Sequence, residues 1–208
     1  TGVEQKLRDF VEQGGTLVGT YHTGLVNEND LCYLGGWPGA GLMDLFGVWH
    51  ETTDALYDGE KNSILMEDGR RYETSELSAL IHLKGARTLG TYGEDFYQGE
   101  PAFTVNEFGR GKAYYLAARA DEDFYRDLYR GLVKELEVKH AAADELPEGV
   151  EACLRETEER RYLFLQNFSG REAEVKLTGA WERVDTGEPV KQAVLTGYDA
   201  LTLRSSSK

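Results

Sequence analysis

The sequence predicts an α/β domain followed by a small antiparallel β domain, and three observations carry that reading. A helical stripe, a glycine pair and a strand open the chain. A long amphipathic helix closes its first part, and short strand-like runs separated by turn residues fill the remainder.

Val3, Leu7, Phe10 and Val11 recur at helical spacing among charged neighbours, and Gly14-Gly15 supplies the stop. Thr16 to Tyr21 then reads as a buried strand, so this end of the chain reads as half of a βαβ unit. From His22 to Gly41 the sequence is polar and punctuated by glycine, ending in Leu34-Gly35-Gly36-Trp37-Pro38-Gly39. Such a long loop in a compact domain is usually functional or interfacial. Leu42, Leu45 and Phe46 suggest a short helix; Val48–Glu51, Ser63–Met66, Ala79–Leu83 and Thr88–Tyr92 suggest strands. Ala102–Val105 and Lys112–Ala117 flank Phe108-Gly109-Arg110-Gly111, where glycine can take the positive φ of a hairpin turn.

Phe124, Leu128, Leu132 and Leu136, with Tyr125, Tyr129 and Val133, form one stripe on a helix from Glu122 to Glu137. The aperiodic stretch 141–149, with Pro147, is read as a linker between a domain at 1–140 and another at 150–208. Beyond it Val150–Arg155, Tyr162–Phe168, Glu172–Leu177, Trp181–Val184, Ala193–Leu195 and Ala200–Leu203 argue for a small sandwich or barrel. Arg204 to Lys208 reads as a frayed tail.

Composition narrows the function. With 23 Lys+Arg against 37 Asp+Glu in 208 residues, the net charge of −14 repels phosphate backbones and anionic headgroups, which argues against nucleic acid and membrane partners. The chain is too short for a complete (β/α)8 barrel, which needs about 250 residues. Cys32 and Cys153 are too far apart in sequence for a disulfide framework or a zinc pair and read as reduced, mostly buried thiols.

No residue is assigned to catalysis, to a cofactor or to a metal. No G-x-S-x-G elbow is present, and His22, His50, His82 and His140 lack the spacing of a metal site. The acid pairs Glu28/Asp30, Glu67/Asp68 and Asp121/Asp123 read as solvated surface, and Gly36, Gly39 and Gly41 do not have dinucleotide-fingerprint spacing. Asn167-Phe168-Ser169 is a formal glycosylation acceptor, discounted because it lies in a strand-like run. Trp37, between glycine and proline, is either a plug in its own domain or a knob offered to a partner or a sugar. Trp49 and Trp181 read as core residues.

The run Val11 to Tyr21, then Thr23 to Asp30, then Leu34 to Gly39 resembles the trimerisation domain of glycoside hydrolase family 42 β-galactosidases. So do Tyr97-Gln98-Gly99-Glu100-Pro101-Ala102 and Phe108 to Tyr115, while Gly149-Val150-Glu151 and Tyr162 to Phe168 resemble that family's small C-terminal β domain. The resemblance implies a glutamine-amidotransferase-like, flavodoxin-like α/β domain, here incomplete because its first strands and helices would precede Val3. A fragment of this kind is expected to leave a sheet edge or an apolar face exposed.

The resemblance further implies a parent that hydrolyses terminal β-D-galactose residues by a retaining mechanism using two glutamates of a separate barrel. That barrel would bind the galactoside, the parent would be a homotrimer, and this portion would contribute assembly without chemistry. The loop from Asn27 to Gly39 is then the expected intersubunit surface, with Asn29, Asp30, Trp37 and Pro38 as its candidates. Cytoplasmic residence is expected from the reduced cysteines and the family's habit. The alternative is a free-standing carbohydrate-binding module working through Trp37 and neighbouring tyrosines.

Overall fold

A computed structural model describes residues 2–138 and 146–206. The chain divides after Leu132 into two compact units, each with its own apolar core. The expected linker at 141–149 lies largely outside the described residues, as does His140. No helix among the described residues is long and apolar enough to cross a membrane.

The first unit opens with helix α1 (Val3–Glu12), which ends at the glycine pair, and strand β1 (Thr16–Thr20). After the long loop come α2 (Leu42–Phe46), β2 (Val48–Ala55), β3 (Asn62–Met66) and β4 (Arg71–Leu83). Then follow β5 (Arg87–Tyr92), β6 (Pro101–Phe108), β7 (Gly111–Leu116), β8 (Ala118–Ala120) and α3 (Glu122–Glu135). The β6–β7 hairpin closes through Phe108 opposite Gly111, with Gly109 at φ 60° in the left-handed region its turn requires.

The strands lie in the order β1-β7-β6-β5-β3-β4-β2, with β8 paired to β4. β8 continues β7 past Ala117, so one chain segment pairs first with β6 and then with β4. Together with the β6–β5, β5–β3 and β3–β4 ladders this closes a small barrel. Tyr92, fully buried, donates its hydroxyl to the carbonyls of Ala79 and Ala117 at 2.9 and 3.0 Å, and burial pushes its pKa up. At the outer end, the Lys112 N–H donates to Gly15 O, so alternation along β1 turns the backbone groups of Thr16 and Val18 to the free edge.

The expected α/β fold is therefore corrected. The described residues hold thirteen strands against three helices, and β1–β7 is the one parallel pair among them. A helix, a glycine turn and a strand do open the chain, but the segment from β2 to β8 has no helical period and turns back on itself by antiparallel pairing. The unit is mostly β and is not flavodoxin-like.

Other readings change too. β4 runs eight residues further toward its N-terminus than the expected Ala79–Leu83, and β8 was not expected. Trp49 is 41% exposed, stacked on His82 at 4.5 Å, and is not core. Cys32 is exposed. Asp121 is no idle surface acid: its carboxylate accepts the Phe124 N–H as the cap of α3 and the Glu73 N–H of β4.

The second unit contains β9 (Val150–Glu156), β10 (Arg160–Asn167), β11 (Ala173–Arg183), β12 (Pro189–Leu195) and β13 (Ala200–Ser206). They form one antiparallel sheet in the order β12-β11-β13-β10-β9. The two runs expected at Glu172–Leu177 and Trp181–Val184 are one strand with a register shift between Lys176 and Trp181. Trp181 is buried, and its indole N–H donates to Thr178 O at 2.9 Å. The expected frayed tail is paired up to Ser206, with Arg204 opposite Tyr162 and Glu182; residues 207–208 lie outside the described ones.

Candidate intersubunit surface

The loop between β1 and α2 is a built structure. Its Asn27 Oδ1 accepts the N–H groups of Asn29 and Leu31 at 2.9 and 3.1 Å, and the Asn27 N–H donates to Leu31 O at 2.9 Å. Such side-chain-to-backbone bonds are how asparagine holds a tight turn. Val26 and Cys32 form a bridge across this small hairpin, and Asp30 at its tip takes φ 58°.

Four bonds hold the loop, three of them to the body and one across the loop itself. The Tyr33 hydroxyl donates to Glu4 Oε1 of α1 at 2.9 Å. That bond raises the tyrosine pKa; on Glu4 it adds to the lowering that backbone hydrogen bonding mainly sets. The Gly39 N–H donates to Gly24 O at 2.8 Å, and the Arg8 guanidinium donates to Gly41 O. Trp37 O accepts the His50 N–H at 2.9 Å, which covers the outer edge of β2.

The Trp37 ring lies 4.1 Å from the His50 ring and 6.4 Å from that of His22. His50 is 4% exposed; its Nε2 sits 2.6 Å from Thr52 O and 3.0 Å from Thr53 Oγ1, while its Nδ1 is buried with no hydrogen-bond partner. Burial holds the imidazole below its ordinary pKa; the Thr52 contact opposes this and the nearby His22 adds to it. The neutral ring, donating from Nε2, is the form that fits.

This gives a pH dependence with a definite sign. Below about pH 6.5 an unfolded histidine takes up a proton that buried His50 resists, so stability is lost as pH falls through the lowered folded value. Urea unfolding of the chain between pH 8 and 5 is expected to show that loss, and His50→Gln is expected to flatten it.

The structure separates the four expected contact residues. Asn29 and Asp30 are exposed at the hairpin tip, whereas Trp37 is half-buried over His50 and Pro38 is buried. What the sequence reading missed are the leucines between them: Leu31 is largely exposed and Leu34 is 102% exposed. Their signal was available as apolar residues in a polar loop with no periodic partner. Two exposed leucines on a loop fastened at Tyr33, Trp37 and Gly39 make a stiff apolar knob, which is the chemistry of a protein contact. Among the described residues no group of three or more His, Cys, Asp or Glu side chains converges as a metal site would.

Comparison with known proteins gives this geometry a context. Residues 1–139 match the family model described as the β-galactosidase trimerisation domain, and residues 149–204 match the β-galactosidase C-terminal domain. β-Galactosidase BglY of Alicyclobacillus acidocaldarius is 45% identical over 215 residues, covering 100% of this chain and 31% of its own length. β-Galactosidase Pbg of Clostridium perfringens is 44% identical over 182 residues, covering 85% of this chain and 26% of its own. The crystal structure of a β-galactosidase from Rahnella sp. R3 has a TM-score of 0.88 at 39% identity, over 99% of this chain and 30% of that one. The chain thus spans 26% to 31% of the length of these curated relatives.

Proposed function

The chain belongs to the glycoside hydrolase family 42 β-galactosidases, matching their trimerisation and C-terminal domains, and on that premise we infer that it is the non-catalytic assembly portion of such an enzyme. In this reading the parent removes terminal β-D-galactose residues by a retaining mechanism in which one glutamate is nucleophile and another acid/base. Both glutamates, and the galactoside, belong to a barrel outside these residues. The assembly domain takes in 1–140, 141–149 is a linker, and 150–208 is the C-terminal β domain. Two free cysteines support a reducing, cytoplasmic setting.

Leu34 is the observation that carries the assembly role. A fully exposed leucine, with exposed Leu31 three residues before it on a loop fastened at Tyr33, Trp37 and Gly39, offers an apolar surface that a second subunit would cover. A trimer contact is heterologous, so the knob of one protomer meets a different surface on the next, and Asn29 and Asp30 flank it there.

The test uses the full-length enzyme that contains this chain. Leu34→Asp, alone and with Leu31→Asp, is expected to convert trimers to monomers in sedimentation velocity. Trimers that withstand both substitutions would remove the loop from the interface. The 208-residue chain alone is expected to leave a chromogenic β-galactoside intact. Turnover that persists after host galactosidase is removed would refute the non-catalytic assignment.

A further inference from the structure

We propose that the second unit carries a saccharide-binding cleft of its own, between residues 147–149 and the β10–β11 turn, and that it takes a galactose-containing pyranoside. Asn167 bolts the β10–β11 turn to the β12–β13 turn. Its Nδ2 donates to Arg171 O at 2.7 Å and Thr196 O at 2.8 Å, while its Oδ1 accepts from the backbone N–H and the hydroxyl of Ser169 at 3.0 and 2.8 Å. The turns touch so closely that a Cβ on Gly197 would lie 2.6 Å from Gly170 O.

On this rigid base stand two aromatic rings that the core does not use. Phe168 is 58% exposed and Tyr198 is 80% exposed. Tyr198 lies at φ 59°, a conformation unfavourable for a bulky residue, and the edge of its ring lies over Gly170. The Tyr198 ring thus backs Gly170, a residue of the cleft wall.

Beside Phe168 is an open cleft of about 460 Å³, whose lining includes Glu148, Phe168, Ser169, Gly170, Arg171 and Glu172; Tyr198 is outside that lining. Arg171, Glu148 and Glu172 make no ion pair among the described residues. The stacking face of Phe168 beside a planar donor fork and free carboxylate acceptors suits a pyranoside. Its C–H face lies on an aromatic ring, and its paired hydroxyls accept from guanidinium and donate to carboxylate. The two carboxylates and the net charge of −14 disfavour phosphate-bearing ligands. The choice of galactose among sugars rests on the proposed function; the cleft does not.

The test is titration of methyl β-D-galactopyranoside, and of the glucopyranoside in parallel, into isotope-labelled 208-residue chain followed by amide NMR. Saturable shifts at Phe168, Arg171 and Glu172 are expected with the galactoside. Phe168→Ala and Arg171→Gln should each weaken binding about tenfold. Tyr198→Gly removes a ring outside the cleft and relieves its left-handed backbone, so it should leave binding unchanged and serves as the control. The proposal is overturned by the absence of saturable shifts or by binding that Phe168→Ala and Arg171→Gln both leave unchanged. Binding of the glucoside alone would overturn the ligand class and leave the assembly role standing, just as trimers that survive Leu34→Asp would leave the cleft standing.

Discussion

Phe46→Ala is expected to destabilise the first unit by about 3–5 kcal/mol, the cost of truncating a fully buried aromatic ring whose site cannot collapse. The ring stands edge-on to Tyr115 of β7 at 5.2 Å, and it fills the space above Gly19 of β1, where a Cβ would lie 2.5 Å from it. Gly19 has no side chain to move into the vacated volume. α2 has only five residues and no intrinsic helical stability, so its place depends on Leu42, Leu45 and Phe46. Because α2 begins where the Leu31–Leu34 loop ends, the same substitution is expected to loosen the knob. Urea unfolding read by hydrogen exchange on peptides within residues 2–132 measures the effect. Gly19→Ala alone overpacks the site by about 1–3 kcal/mol. Gly19→Ala combined with Phe46→Leu is expected to cost less than the sum of its parts, since the smaller side chain yields to the new methyl. A Phe46→Ala cost under about 1 kcal/mol would show that the ring is not packed as described.

The elements that were legible in the sequence are those specified by short-range patterns. α1 and α3 follow from apolar residues at helical spacing, and the β6–β7 hairpin from glycines placed where the turn needs positive φ. β4 was half hidden because Arg71 to Ser78 reads as polar sequence. Its alternation, with Tyr72 and Thr74 buried, is broken by Glu76, which takes φ 63° at a register shift. β11 looked like two strands because Gly179, also at positive φ, interrupts it. The error of fold class has a different origin. Whether a strand after a helix joins a parallel or an antiparallel sheet is decided by distant partners, here by β8 closing onto β4, and no local window contains that information.

The same limit applies to the contact surface. Composition and glycine spacing singled out the loop, and Asn29 and Asp30 do reach solvent. Which side of it faces outward depends on where Tyr33 finds Glu4 and Trp37 finds His50, partners 29 and 13 positions away. Trp49 shows the converse. Its strand was recognised, but its face was not, because alternation tells which residues share a face and says nothing of which face is covered.

Asn167→Ala is expected to cost the second unit about 1–3 kcal/mol, because it leaves the part-buried carbonyl bonds of Arg171 and Thr196 without their donor. The glycosylation reading of this asparagine ends here, since its amide is buried and fully engaged. Asn167→Asp separates hydrogen bonding from volume. At pH 7 it turns a carboxylate oxygen toward Arg171 O and Thr196 O in place of the Nδ2 donor, so it is expected to destabilise more than alanine does. The folded state then favours the protonated acid, which can donate, so its pKa is raised and stability should return as pH falls toward about 5. Urea unfolding with hydrogen exchange on peptides within residues 146–206, at pH 7 and pH 5, distinguishes the cases. An aspartate variant as stable as the alanine one at both pH values would mean that the donor role assigned to Asn167 is wrong. The two turns would then have to be held by the Tyr198 N–H donating to Ser169 O and by the Gly170–Gly197 contact.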